Sequence, residues 1–265
     1  RNSCTNESPA AAHASHVTDQ TVSANTLTGE RGGMSYEAVF FDLDDTLYSY
    51  PECNEAGKEA SWREARDLGY DLSRGEFDDL YAEGRREVKR ELAGTASAHE
   101  RFLYFKRALE IHTGTHRAKH ALALGEAYWG TYVEEMALFD GVRETLRELQ
   151  AAGVDVAIVS NLTTRIQMKK IDHLGLDECV DLVLTSEETG SEKPSSVMFT
   201  LPLAQLDRRP SETVMVGNDV DTDVEGANAV GLTTVLFNGE TDGEAGNRQP
   251  DHQIDAVGEV LEVVL

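Results

Sequence analysis

Lysine is scarce in this chain. Seven lysines stand among 265 residues, and 24 basic side chains face 48 acidic ones, for a net charge of −24. A surface so short of cations repels phosphate backbones and anionic lipid, so neither nucleic acid nor a membrane surface is an expected partner. Long apolar runs are missing too: no stretch of about 18 apolar residues occurs, which argues against a membrane-spanning helix. The first 33 residues hold no basic start followed by a continuous apolar segment, so no secretory signal is visible. Cysteine occurs three times, as Cys4, Cys53 and Cys179, without the pair spacing of metal or redox motifs. That usage points to a reduced, cytoplasmic protein. The abundance of carboxylates over lysines matches the habit of proteins from salt-loving cells, whose acidic surfaces keep them hydrated.

The apolar share of 40% is enough for a buried core. Residues 1–33, rich in Ser, Thr, Asn, Ala and Gly, show no sustained period and read as a disordered leader, with Met34 a candidate natural start. Beyond them, short β-branched runs recur at 38–42 (AVFFD), 154–160 (VDVAIVS), 181–185 (DLVLT), 213–217 (TVMVG) and 232–237 (LTTVLF). Nearly continuous apolar runs of this length suit strands buried on both faces of a parallel sheet. Helical segments at 142–152, 163–174 and 220–230 alternate with them, stopped by Gly153, Gly175 and Gly231. The pattern predicts an α/β fold, a doubly wound parallel sheet.

One interval breaks the alternation. Residues 49–138 read as helices only, too long for a plain crossover, and are expected to form an inserted helical subdomain on a core made of 34–48 and 139–265. Ser73 with Glu76, and Ser97 with Glu100, match capping boxes. Phe102, Phe105 and Leu109 mark an apolar helix face.

Ligands of open parallel sheets bind beyond the carboxyl ends of the strands. Here those ends carry Asp42-Leu43-Asp44-Asp45-Thr46, then Ser160-Asn161, then Lys193-Pro194, then Asn218, Asp219, Asp221 and Asp223. Each item alone is weak, since an Asp-x-Asp is more often a solvated turn. Four in register with strand ends are a different matter.

The series DLDDT, VSN, EKP and VGNDVDTD resembles the four motifs of the haloacid dehalogenase superfamily, from about residue 36 to the C-terminus. A helical insert after the first motif is similar to that superfamily's class I cap. The resemblance implies a Mg²⁺-dependent phosphatase acting on a small phosphorylated metabolite. Asp42 would be the nucleophile, and Asp44 the general acid/base with its backbone carbonyl on the metal. Ser160, Asn161 and Lys193 would hold the phosphoryl group, and the acids of the fourth motif would complete the metal site. Asp44 separates the chain from dehalogenases, which lack this second acid. A phosphomutase with the same motifs, or a decayed binding protein, are the alternatives.

The chemistry supports these roles on its own terms. A carboxylate approaching a phosphate dianion is repelled unless a metal bridges them. Magnesium takes oxygen ligands and keeps several waters, so one or two carboxylates suffice. Lys193 supplies a point charge, Ser160 a hydroxyl and Asn161 a backbone donor. Asp44, two residues beyond Asp42, falls on the same side of an extended chain. The fourth motif departs from the family, with Gly217-Asn218 where Gly-Asp is usual. Asn218 could ligate as a neutral donor, or Asp219, spaced four residues before Asp223, could take the role. Asp219 is preferred for its charge, and Asp223 completes the set in either case.

Other signals have plainer readings. His112, His116 and His120 recur every four residues, but Gly114 interrupts the helix a zinc site would need, and surface histidines are expected. Tyr128, Trp129 and Tyr132 are expected to be subdomain core rather than a substrate cage. Arg63 and Arg66 are expected to pair with nearby acids.

Overall fold

The computed structural model describes residues 36–239 and 246–265. The expected leader at 1–33 and Met34 lie outside the described residues. Among them, six strands form one parallel sheet in the order β3-β2-β1-β4-β5-β6, where β1 is Ala38–Phe41, β2 Asp155–Ser160, β3 Leu182–Thr185, β4 Thr213–Gly217, β5 Thr233–Phe237 and β6 His252–Ile254. The doubly wound α/β sheet is thus present, with one strand more than the apolar runs foretold. His252–Ile254 is a three-residue edge strand, too short and too polar to show a period.

The sheet is central because its side chains alternate between two apolar layers. Val39, Phe41, Val156, Ile158, Val214 and Val216 feed one layer. Ala38, Phe40, Ala157, Val159 and Met215 feed the other, where they meet Met198, Phe199 and Ala227. Register then fixes the site. Phe41 pairs with Ile158 on one side and Val216 on the other, so the carboxyl ends of β1, β2 and β4 finish side by side.

Four helices interrupt the α/β pattern between β1 and β2: α1 (Tyr50–Asp67), α2 (Arg74–Glu91), α3 (Arg101–Thr113) and α4 (Ala118–Glu134). Pro51 opens α1 in its first turn, where its missing N–H costs nothing. The Ser73 box caps α2: Ser73 Oγ accepts from the Glu76 amide at 3.3 Å, and Glu76 Oε2 accepts from the Ser73 amide at 2.9 Å. The second expected box does not form. Ala96–His99 is a 3₁₀ turn, and Glu100 is itself the N-cap of α3, accepting from the Phe102 amide at 3.2 Å. Gly114, left-handed at φ 71°, ends α3, so His112, His116 and His120 do not share a helix face. Instead His120 Nδ1 meets the Tyr70 hydroxyl at 2.6 Å, with His112 packed on the Tyr70 ring.

Chain exit and return are adjacent. Tyr48 forms an antiparallel bridge with Leu138, and the Phe139 amide donates to the Leu47 carbonyl at 2.9 Å. The remaining helices flank the strands: α5 (Val142–Ala151), α6 (Thr164–Leu174), α7 (Ser186–Thr189), α8 (Val197–Leu206), α9 (Glu225–Val230) and α10 (Val260–Val264). The helix expected over 220–230 is divided, with a π-helical turn at Val220–Val224 preceding α9. No helix among the described residues is long and apolar enough to cross a membrane.

Candidate active site

Asp42 follows β1 directly, its amide bonded to the Val216 carbonyl of β4 at 2.9 Å. Its Oδ1 lies 2.6 Å from Lys193 Nζ, and the same ammonium lies 2.7 Å from Asp223 Oδ1. Lys193 has 1% of its side chain exposed, so this is a buried triad with one cation between two carboxylates. Burial pushes the Asp42 carboxyl up to about 7, Asp223 and Asp44 add to the rise, and Lys193 opposes it. Lys193 itself is raised: burial works against its charge, and Asp223 and Asp42 more than offset that cost.

The other predicted residues assemble around this centre. Asp42, Asp44, Ser160, Asn161, Lys193, Asn218, Asp219 and Asp223 all line one cavity of about 270 Å³. Ser160, last in β2, accepts a short hydrogen bond from Gln167 Nε2 of α6. The Asn161 side chain clamps the Lys193 backbone from both directions, with Oδ1 taking the Lys193 amide at 2.7 Å and Nδ2 donating to its carbonyl at 3.2 Å. Asp223 Oδ2 accepts from the Asp219 amide at 3.1 Å. Gly217 is required beside it, since a Cβ there would stand 2.2 Å from an Asp223 oxygen.

Asp44 has partners that no motif indicated. Its Oδ1 takes the Tyr48 hydroxyl at 2.6 Å and Lys170 Nζ at 2.7 Å, and Oδ2 takes the same ammonium at 2.9 Å. Burial alone would raise the Asp44 carboxyl, but Lys170 and Tyr48 outweigh it and hold it below the usual range. Lys170 is fully buried on α6, among the rings of Tyr48, Trp129 and Tyr132. A lysine on the inner face of a helix, seven residues from a helix start, carries no sequence signature; only its neighbour Lys169 marks the exposed face.

The helical insert forms the opposite wall, through Tyr50, Arg85, Lys89, His99, Arg101 and Tyr104. Arg101 is 5% exposed and caged by Tyr50, Tyr104, Tyr128 and Trp129 at 5.1–5.7 Å. Tyr128, Trp129 and Tyr132 are therefore core, as expected, and also the wall that holds a cation. Arg63 pairs with Glu59 at 2.8 Å and Arg66 lies over Trp62 at 5.3 Å, so the cavity's arginines are others. Burial pushes the Cys53 thiol up to about 11, which leaves it unreactive at neutral pH.

A divalent cation needs hard oxygen donors, and the core wall offers them in Asp42, Asp44, Asn218 and Asp219. Asp42 Oδ1 is bound by Lys193, and its second oxygen has no protein donor among the described residues. Asn218 is half-buried, with Oδ1 3.3 Å from the Thr46 hydroxyl. Asp219 is exposed, and its Oδ1 caps the π-helical turn by accepting from the Thr222 amide at 2.9 Å. Among the described residues, no group of three or more His, Cys, Asp or Glu side chains is drawn together as a metal cluster. Magnesium, which keeps most of its waters and needs few protein ligands, fits this donor set.

A doubly wound parallel sheet with a helical insert after its first strand, and carboxylates and lysines gathered at the strand ends, defines a capped hydrolase of the α/β class. A family model of haloacid dehalogenase-like hydrolases matches residues 36–231, and the chain belongs to that family. It is 59% identical to a ribulose-1,5-bisphosphate 5-phosphatase of Halopiger xanaduensis, over 86% of this chain and 98% of that protein. It is 32% identical to a glyceraldehyde 3-phosphate phosphatase of Methanopyrus kandleri, over 86% of this chain and 97% of that one. The fold is shared with the magnesium-bound hydrolase YfnB of Bacillus subtilis, at a TM-score of 0.64 and 22% identity, covering 87% of this chain and 99% of that one. The chain is thus a phosphatase-type member of the family, a hydrolase of phosphate monoesters.

Proposed function

We propose that this protein is a magnesium-dependent phosphatase of small phosphorylated sugars, working through an aspartyl phosphate on Asp42. The observation that carries the reading is the Asp42–Lys193–Asp223 triad at the end of β1, with Lys193 Nζ 2.6 Å from the Asp42 carboxylate. An attacking carboxylate needs a fixed cation beside it to offset the charge gathering on the transferring phosphoryl group. Asp42, the backbone carbonyl of Asp44 and the Asn218–Asp219 loop would hold the magnesium, which when bound screens the phosphoryl charge from the nucleophile. Asn218, half-buried in the cavity wall, is favoured over the exposed Asp219, whose Oδ1 caps the turn.

In the first half-reaction the Asp42 carboxylate attacks phosphorus as the ester oxygen leaves. Asp44 passes that oxygen a proton supplied by the Lys170 ammonium bonded to it, which leaves Asp44 a carboxylate and Lys170 neutral, ready to take back the proton of the second half-reaction. In the second, Asp44 takes the proton of a water that attacks the aspartyl phosphate, and inorganic phosphate leaves. Held as a carboxylate by Lys170 and Tyr48, Asp44 is already in the form this second step needs. The two sugar-phosphate phosphatases among the relatives support the substrate class, and the acidic surface supports a salt-rich cytoplasm. Phosphate release from an aryl phosphate tests the reading: EDTA and Asp42→Asn should each abolish it. Full activity with chelator present, or in Asp42→Asn, would overturn it.

A further inference from the structure

The cavity has two walls of opposite sign. On the core side stand Asp42, Asp44, Asp45, Asp219 and Asp223 with Lys193; the insert side has no acid and carries Arg85, Lys89 and Arg101 beside His99. In a chain with 48 acids and 24 bases, this cationic face runs against the overall composition. The cations are also not neutralised from within the protein. Among the described residues, Arg85, Lys89 and Arg101 make no ion pair with a carboxylate. Arg101 donates to the Tyr50 and Tyr128 hydroxyls at 2.8 and 3.2 Å and to the His99 carbonyl at 2.5 Å, all neutral partners. The nearest acid, Glu192, is engaged by His99 Nε2 at 2.7 Å and by the Gly94 amide at 3.1 Å. That leaves His99 Nδ1 facing Lys89 Nζ at 3.4 Å, with no carboxylate paired directly to the ammonium among the described residues.

Three of the core acids are held by lysines of the core, although the Arg101 charge also helps to keep Asp44 low. Lys193 holds Asp42 and Asp223, and Lys170 holds Asp44. The phosphoryl group under attack is served by Lys193 and Ser160, so the cations across the cavity answer to a different anion. Burial and the Arg85 charge pull the Lys89 ammonium down further than Glu192 raises it, and an anion between the two cations would relieve the second cause. A forked guanidinium beside an ammonium suits a dianionic phosphate better than a single carboxylate.

We propose that Arg85 and Lys89, backed by Arg101, bind a second phosphate of the substrate, so that the enzyme selects sugar bisphosphates over monophosphates. The proposal rests on the phosphatase reading above and names its substrate class. In it Arg85 and Lys89 touch the distal phosphate. Arg101, locked in its aromatic cage, acts through the positive potential it adds to the wall.

The test compares ribulose 1,5-bisphosphate, ribulose 5-phosphate, phosphoglycolate and 4-nitrophenyl phosphate as substrates for the wild type, Arg85→Ala, Lys89→Ala and the double variant. The wild type should favour the bisphosphate by kcat/KM. Each single substitution should raise KM for the bisphosphate by about tenfold more than for the aryl ester, the scale of one lost charged hydrogen bond. Equal losses on all four esters, or no preference for the bisphosphate in the wild type, would overturn the proposal. A preference for phosphoglycolate would show the wall reads a carboxylate instead, and would overturn it too. Calorimetric titration of ribulose 1,5-bisphosphate into Asp42→Asn protein, with and without Arg85→Ala, separates the two readings. A drop in affinity there, with no ester hydrolysed by the wild type, removes the phosphatase reading and leaves the anion site standing. Turnover with no such drop does the reverse.

Discussion

Replacing Lys193 with methionine keeps the length of the side chain and removes the one cation between Asp42 and Asp223. Lys193 is 1% exposed, and Asp223 and Asp42 are 2% and 11% exposed at their side chains. Removing one partner of a buried pair leaves an uncompensated charge and costs about 3–5 kcal/mol. For a domain of this size that corresponds to a melting temperature lower by about 6–20 °C, at roughly 2–4 °C per kcal/mol. The dependence on pH has a definite sign. The Lys193 pKa is raised, so its stabilisation is present throughout the range below the ordinary lysine value and does not vary between pH 5 and 9. Asp42 stands at about 7 with Lys193 in place, and losing that cation lifts it further. A raised carboxyl pKa means the folded variant binds a proton that the unfolded chain has already released, so the variant recovers stability as pH falls. The gap to wild type should therefore widen from pH 6 to pH 8, by up to about 1.4 kcal/mol per unit. Urea unfolding in metal-free buffer at several pH values measures it. A gap below about 1 kcal/mol, or one that stays flat with pH, would refute the account of the triad.

Two more outcomes are expected. Asp44→Asn should lower turnover by about 10² to 10⁴, the usual worth of a general acid/base, while leaving the protein folded by circular dichroism; unchanged turnover would remove Asp44 from the mechanism. In a magnesium titration of activity, Asn218→Asp should lower the half-saturating concentration, because it adds charge at a ligand, and Asp219→Asn should change it little. The opposite ranking would place the metal on Asp219.

Much of this arrangement was legible in the chain because parallel strands advertise themselves. Five apolar runs marked five strands, and a polar group at the end of a buried strand has few places to go except the sheet's edge. Asp42 and Ser160 could be placed by that logic, and Lys193 and Asp223, a few residues beyond their strands, by the motifs they stand in. Lys170 could not, since its meaning comes from a helix face that only the packed sheet defines, 126 residues from Asp44. Arg85 and Lys89 escaped for a related reason: on an amphipathic helix, basic residues pointing into a cavity and basic residues pointing into solvent read alike. The Ser97–Glu100 match misled because a capping box is a local pattern, and Glu100 capped α3 directly instead. The hydrogen bond from the Thr222 amide to Asp219, which bears on the choice between Asn218 and Asp219, lies within the loop and is not encoded by spacing alone.

The two chain crossings between sheet and insert lie side by side, tied by the Tyr48–Leu138 bridge and the Phe139–Leu47 hydrogen bond. A segment that leaves and returns through one doorway can be exchanged as a cassette. Cutting the chain at that doorway and closing it with a short turn would leave the strand order, the Asp42–Lys193–Asp223 triad and the fourth motif untouched. Several ties restrain that exchange, among them Lys170 packed against Trp129 and Tyr132, and Glu192 bonded to His99. Tyr48 sits in the doorway and gives its hydroxyl to Asp44 at 2.6 Å, so any replacement cassette must be spliced on its far side.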